Sequence, residues 1–280
     1  MTTREHSEEV HELGEATPPR TVERRALARR LPLLILPVLG IVAWQLVSSF
    51  LETREWLLPA PASVAETMWT DRADLWFHGR ATIAAALIGL GLAVVGGLAL
   101  AALIAASRAA ELTIYPWVVA TQAVPLLALA PIVAIWTDFG VAQVLVAFLI
   151  TFFPIVVTGV DGFRSADPEL LRAARSMGAS RTWLWRHVTF PSALPALFSG
   201  LKLAAVFAVT GAVVAEYVGA DRGLGYLAEI STAQFDTVLA FAAIVWLAII
   251  GVGFFAAAVI GERIALPHHH HSVRPAWRRS

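Results

Sequence analysis

The chain has 280 residues, of which 58% are hydrophobic and only 15% charged, with a mean hydropathy of +0.68. Soluble domains run near 25% charged, so this composition excludes an ordinary soluble globule and indicates a membrane protein. Net charge is formally zero, which leaves partners to be read from where the charges lie, and cysteine is absent, which excludes disulfides, thiolate catalysis and cysteine metal sites.

Residues 1–30 are polar, with Pro18 and Pro19 breaking them before an arginine-rich run from Val22 to Arg30. They read as a largely disordered basic leader whose arginines anchor at the membrane surface. Six stretches of roughly 20 apolar residues then match the thickness of a bilayer: Leu31 to Phe50, Ala81 to Ala106, Tyr115 to Trp136, Val141 to Val160, Ser192 to Ala215 and Val238 to Ile260. The first resembles a signal peptide in length, but its long charged leader and missing small-residue cleavage site indicate a retained helix. Between the first two spans, Ser63 and Glu66 have capping-box spacing, and Val64, Met68, Trp69, Leu75 and Trp76 form an apolar stripe. The stripe fits either an amphipathic helix on the outer interface or a lid packed on the spans.

In the second span, Ala85, Gly89, Ala93, Gly97, Ala101 and Ala105 recur every four positions, a ridge that lets another helix approach closely. The partner is either a helix of the same chain or a second copy. Pro125, Pro131 and Pro154 fall inside spans three and four, where each frees a backbone carbonyl that a neighbour or a wet cavity must satisfy. These prolines fit a lined pathway and ordinary kinked helices alike.

With both termini cytoplasmic, the inside segments hold 16 arginines and the outside segments only four: Arg54, Arg72, Arg80 and Arg222. This split obeys the positive-inside rule. It places the segment Asp167 to Pro191, and the tail 263–280, in the cytoplasm. That segment is the one charged, turn-bearing stretch between strongly apolar spans. Asp167 can cap a helix with Pro168 at its first position, Gly178 can end it in the left-handed region, and Ser180 can cap a second short helix running into Trp183 and Trp185. Pro191 and Pro195 then mark the start of the next span. The expectation is a helix-turn-helix knob outside the bilayer.

Ala173, Ala174, Gly178, Val188 and Pro191 fall at the spacing of the "EAA" signature of ATP-binding-cassette (ABC) importer permeases, and the chain resembles that family over roughly Leu31 to Ala265. Gly223 to Tyr226, Gly-Leu-Gly-Tyr, is similar to the branch that carries sulfonates, taurine, nitrate and thiamine-type pyrimidine precursors. One position departs from the pattern: Arg172 stands where the signature has its acid, although Glu169 lies one helical turn earlier. The resemblance implies an all-α membrane protein of the type I ABC importer permease fold. Its six transmembrane helices lie in a permease domain 31–262 carrying a cytoplasmic coupling helix-turn-helix at 164–191. It further implies two copies forming the pathway, two ABC ATPase subunits docked on the knobs, and an extracytoplasmic binding protein that delivers substrate.

On the knob, the residues expected to couple to the ATPase are Glu169, Arg172, Ala173, Ala174, Gly178, Arg181, Trp183, Trp185, Arg186 and Pro191. Arg181, Trp183, Trp185 and Arg186 lead as contacts, because aromatics and arginine dominate interface energetics. The tryptophans fit lipid anchoring equally well.

Polar residues inside the spans come next, since burying them in hydrocarbon costs several kcal/mol unless they face protein or water. Lys202, the only lysine, reads either as a snorkelling or helix-pairing charge or as a counter-ion for an anionic substrate. Gln122, Thr151 and Thr210 could offer hydrogen bonds to a passing solute, though hydroxyls in spans often bond their own backbone. Asp138 and Glu216, at the outer mouth, read as solvated span ends rather than a gate.

No constellation for covalent chemistry is present. Lys202 is flanked by Leu201 and Leu203 and cannot belong to a Walker A loop. No cofactor is therefore expected on this chain, and ATP and Mg belong on the partner ATPase. His268 to His271 is a short histidine tract without a carboxylate partner, so no metal site is assigned. No nucleic-acid partner is expected. The alternative reading is an ion-gradient-driven secondary transporter, which usually shows internal repeats and midplane carboxylates; a membrane scaffold would leave the kinked spans unexplained.

Overall fold

The computed structural model describes residues 20–50 and 57–267, and every regular element among them is helical. Residues 1–19, 51–56 and 268–280, with the histidine tract His268 to His271, lie outside the described residues. The chain divides into two compact units, 1–63 and 64–280.

In the first unit, α1 runs from Arg20 to Phe50. It starts just ahead of the arginine-rich run, so residues 20–30, expected to belong to a largely disordered leader, are part of the helix that carries the apolar stretch Ile35–Phe50. Trp44 Nε1 donates to the Pro59 carbonyl at 3.1 Å. The next helix, α2, spans Pro61–Thr70. Ser63 therefore lies within the first turn and is not a cap; Pro61 takes the first position, where its missing N–H costs nothing. The apolar stripe is also split. Val64, Met68 and Trp69 stay on α2, whereas Leu75 and Trp76 belong to α3, Arg72–Ala106.

The second unit is built on α3, α7 (Phe139–Arg164) and α10 (Phe190–Glu216), with α7 packed against both of the others and α12 (Thr237–Ala265) against α10. The small-residue ridge of α3 explains the first contact. Ala85, Gly89, Ala93, Gly97 and Ala101 are buried, and a Cβ at Gly89 would stand 2.7 Å from Ala147 Cβ and 2.9 Å from the Phe148 nitrogen of α7. The ridge is thus filled within the chain, by α7, whose Gly159 receives Ala101 in return.

The third expected span, Tyr115 to Trp136, is not one helix. After α4 (Arg108–Thr113) come α5 (Tyr115–Ala120) and a 3₁₀ turn over Thr121–Ala123; the chain then turns extended at Val124 and Pro125 before α6 (Leu126–Trp136). The two halves, 108–123 and 128–136, are bent by 104°. Pro125 cannot donate to the preceding turn, and its ring disfavours a helical Val124. Pro131 and Pro154 break nothing: they sit inside α6 and α7, and Thr158 donates its hydroxyl to the carbonyl of Pro154 at 2.7 Å. Among the described residues, four helices are long and apolar enough to cross a membrane alone: α3, α7, the continuous 181–216 helix and α12. The bent pair makes a fifth if counted as one span.

Candidate functional site

The knob between α7 and α10 is made by local chemistry. Asp167 accepts a hydrogen bond from the Glu169 nitrogen at 2.8 Å and Pro168 fills the first position of α8, Pro168–Ser176. Met177 is the C-cap, and Gly178 then takes φ +87°, a conformation that side chains resist. The Ala179 N–H returns to the Ala174 carbonyl at 3.0 Å, closing the helix end. Ser180 accepts from the Trp183 nitrogen at 3.2 Å and opens α9, Arg181–Leu184. The knob has its own small core: Ala166, Ala174, Leu184 and Val188 are buried together, with Leu171 and Ala179 against them.

The second helix does not stop before the next span. From α9 the chain passes through one π-helical stretch, Trp185–Thr189, straight into α10. The Phe190 N–H bonds the Trp185 carbonyl, five residues back. This wider turn precedes Pro191, whose lack of a donor N–H prevents regular pairing there. The knob and α10 are therefore joined by continuous helix. At the other side, the Ser165 hydroxyl donates to the Ser192 carbonyl at 3.1 Å, and Arg164 reaches Glu111 of α4 at 2.8 Å, with Arg108 on the same carboxylate at 2.7 Å.

The ten knob residues singled out from the sequence divide by position. Ala174 is buried in the knob core, while Ala173, Arg186 and Pro191 are exposed. Glu169 and Arg172 face solvent as a pair at 3.9 Å, and the Arg172 Nε also donates to the Pro168 carbonyl at 3.3 Å. Gly178 and Trp183 border an open cavity of about 490 Å³ with Met177 and Ser180, and Met177 is 80% exposed. Trp183 stacks on His187 with ring centroids 4.8 Å apart. Trp185 instead stacks against Phe163 of α7, at 6.2 Å, and with Arg181 lines a separate cavity at the joint between knob and spans.

A second constellation lies at the opposite end of α10, where it meets α3 and the start of the next helix. Glu216, expected to be a solvated span end, is completely buried. Its Oε1 accepts from the Thr82 hydroxyl at 2.7 Å and its Oε2 from the Gly225 nitrogen at 2.7 Å. Thr82 accepts in turn from the Leu224 nitrogen at 3.0 Å, and His78 Nδ1 accepts from the Gly223 nitrogen at 3.1 Å. These three amides are the unpaired N-terminal donors of α11, Leu224–Ala233, so a carboxylate, a hydroxyl and an imidazole from α3 and α10 satisfy them. The Gly-Leu-Gly sequence follows from the same geometry. Gly223 has φ +130°, and a Cβ on it would overlap the Glu216 carboxyl; a Cβ on Gly225 would meet Glu216 Oε2 at 2.9 Å. The sequence signal was available: an acid at the apolar end of a span, seven residues ahead of a glycine pair. Asp138, by contrast, is exposed and caps α7 through the Val141 nitrogen at 3.0 Å.

The four candidate pathway residues are not brought together. Gln122 is exposed in the 3₁₀ turn of the broken span. Thr151 is buried and donates to the carbonyls of Ala147 and Phe148 on its own helix. Thr210 is exposed on an apolar groove of about 520 Å³ between α10 and α12, bordered by Val206, Val213, Ile244 and Phe255. Lys202 reaches across from α10 to both oxygens of Glu262 on α12, at 2.9 and 3.0 Å, with both side chains mostly buried. Glu262 was not foreseen, because 60 residues separate the partners.

The sequence profile of the family described as "Binding-protein-dependent transport system inner membrane component" matches residues 93–265. The chain belongs to this family. It is 40% identical to the riboflavin transport system permease protein RibX of Chloroflexus aurantiacus, across 83% of this chain and 89% of that protein. It is 37% identical to the formylaminopyrimidine transport permease protein ThiX of Halalkalibacterium halodurans, across 81% and 91%. A putative aliphatic sulfonates transport permease protein, SsuC of Escherichia coli, is 35% identical across 84% and 92%. Among solved structures, the MetNI methionine ABC transporter matches with a TM-score of 0.56 at 18% identity, over 71% of this chain and 98% of that one, which supports the fold. The protein is thus a multi-pass membrane permease of an ABC importer, in the branch that includes sulfonate, taurine and thiamine-precursor permeases. Its family is one of components of binding-protein-dependent transport systems, not of carriers acting alone. The knob and the Gly-Leu-Gly latch of the permease occupy opposite ends of α10.

Proposed function

We propose that two copies of this permease form the pathway, that each knob receives one ABC ATPase, and that ATP and Mg act on that ATPase, with the termini and the knob in the cytoplasm. The arginine asymmetry along the chain supports this sidedness. The observation that carries the coupling role is the continuity of α9, the π-helical stretch and α10 behind a knob with its own buried core. A knob held by capping bonds is stiff, so a displacement of a few ångströms at Gly178 would pass along α10 rather than dissipate. Met177, Gly178, Ser180 and Trp183 offer the docking face, with Glu169 and Arg172 as a polar rim that takes over the place of the signature acid. The break at Pro125, which leaves Gln122 at the bend, supports a pathway lined in part by span three, since non-helical backbone at membrane depth is tolerated where it faces protein or water.

For the substrate we infer an uncharged nitrogen heterocycle of the pyrimidine or flavin kind. The bidentate Lys202–Glu262 pair supports reading Lys202 as a helix-pairing charge, which leaves it no surplus positive charge for an anion. Two relatives at 37% and 40% identity carry compounds of this kind. An aliphatic sulfonate is the second reading, favoured by the 35% identical SsuC. Uptake into proteoliposomes bearing permease, ATPase and binding protein decides between them: competition by riboflavin or formylaminopyrimidine is expected, and competition by an aliphatic sulfonate alone would reverse the assignment.

A further inference from the structure

At the joint between the knob and the spans lies a half-enclosed cavity of about 360 Å³, apart from the docking face proposed for the ATPase, and Arg181 and Trp185, expected from the sequence as ATPase contacts, line it instead. Ala106 at the end of α3 and Phe163 at the end of α7 form part of its apolar wall, while Arg175 of α8, Arg181 of α9, Trp185 and Thr189 supply its polar side. Among the described residues no carboxylate lines it. The neighbouring arginines have acids of their own: Arg108 and Arg164 share Glu111, and Arg172 pairs with Glu169. Arg175 and Arg181 form no ion pair among the described residues, so two guanidinium groups border one cavity without an anion to balance them. This cavity shares no lining residue with the open one around Met177 and Gly178 where the ATPase is proposed to dock.

The cavity also sits at a defined depth. It is bounded by the last turns of two spanning helices, α3 and α7, where apolar sequence gives way to the charged knob. Beside it, α3 presents Leu103, half exposed, as a surface for an acyl chain. Guanidinium binds phosphate through paired N–H donors, threonine adds a hydroxyl, and tryptophan favours the headgroup level.

We propose that this cavity holds the headgroup phosphate of an anionic phospholipid of the cytoplasmic leaflet, with one acyl chain laid along α3. The lipid braces α8 and α9 against α3 and α7, and so stiffens the knob that transmits ATPase movement. The leaflet rests on the cytoplasmic placement of the knob, which labelling of single cysteines in this cysteine-free chain tests separately from lipid binding.

The test is native mass spectrometry of the intact transporter, purified in detergent and titrated with phosphatidylglycerol or phosphatidylcholine. Wild-type protein should retain phosphatidylglycerol roughly thirtyfold better than the Arg175→Gln/Arg181→Gln variant, because each of the two arginines at an anionic lipid contributes on the order of 1 kcal/mol and every 1.4 kcal/mol is tenfold. Ala106→Trp, which fills the apolar wall and keeps both arginines, should lower retention as well, and Arg222→Gln, at the far end of the spans, should not. Equal retention by wild type and both cavity variants would overturn the proposal. So would equal retention of phosphatidylcholine, or displacement of the lipid by inorganic phosphate, which would identify a site for a soluble anion.

Discussion

Replacing Glu216 should loosen the end of the molecule opposite the knob, and the structure sets the size of the effect. Glu216→Ala removes the acceptor of two buried donors, the Thr82 hydroxyl and the Gly225 N–H. A buried donor left without a partner costs about 1–3 kcal/mol, so the two together cost roughly 2–6 kcal/mol. At about 2–4 °C per kcal/mol for a chain of this size, the midpoint of thermal denaturation in detergent should fall by roughly 10 °C. Gly223→Ala should also destabilise, because its Cβ overlaps the Glu216 carboxyl and its φ of +130° strains any side chain. The informative variant is the double one. Removing the carboxyl makes room for the new methyl, so the combined loss should fall short of the sum by about 1–2 kcal/mol, the coupling expected of residues in contact. The residual backbone strain should persist. Strict additivity of the two changes, or an unshifted midpoint in Glu216→Ala, would refute the latch.

Gly178→Val should cost little in membrane insertion but misalign α8 and α9, lowering substrate-driven uptake and ATP hydrolysis by roughly tenfold or more, since φ +87° is closed to a branched side chain; uptake at the wild-type rate would count against the turn. Lys202→Met should destabilise by about 3 kcal/mol because it leaves Glu262 buried without its partner, whereas Lys202→Met/Glu262→Gln should recover most of that loss. A thermal midpoint in the double variant no better than in the single one would remove the helix-pairing role. Single cysteines at Met177 and Trp183 should cross-link to the ATPase, and one at Trp69, on α2, should not; the reverse pattern would place the docking face elsewhere.

What could be read from the sequence was whatever the chain settles within a few residues. The knob is of this kind: Asp167, Pro168, Gly178 and Ser180 each act on neighbours one to three positions away, so their spacing foretold both helices and the turn. The small-residue ridge of α3 was equally visible as a surface for close approach, although its partner α7 was not, since nothing in a ridge names what fills it. The latch was missed because Thr82 and Glu216 are 134 residues apart. An acid at a span end looks solvated until a distant hydroxyl and a glycine pair enclose it. The prolines show the same limit. All three were flagged, but only Pro125 interrupts its span, because Pro131 and Pro154 keep helical neighbours on both sides. The merger of α9 with α10 was hidden for the opposite reason: Pro191 signals a helix start, and a π-helical turn absorbs it instead.

On the proposed function the protein imports its solute through ATP hydrolysis by a partner engaged at the knob. Its most direct test is uptake in proteoliposomes containing the permease, the ATPase and the binding protein, with ionophores present to collapse the proton and sodium gradients. Uptake should require ATP and the ATPase, continue at an undiminished rate with the ionophores, and stop in Gly178→Val. Uptake by the permease alone, driven by an imposed ion gradient and abolished by the ionophores, would contradict the claim.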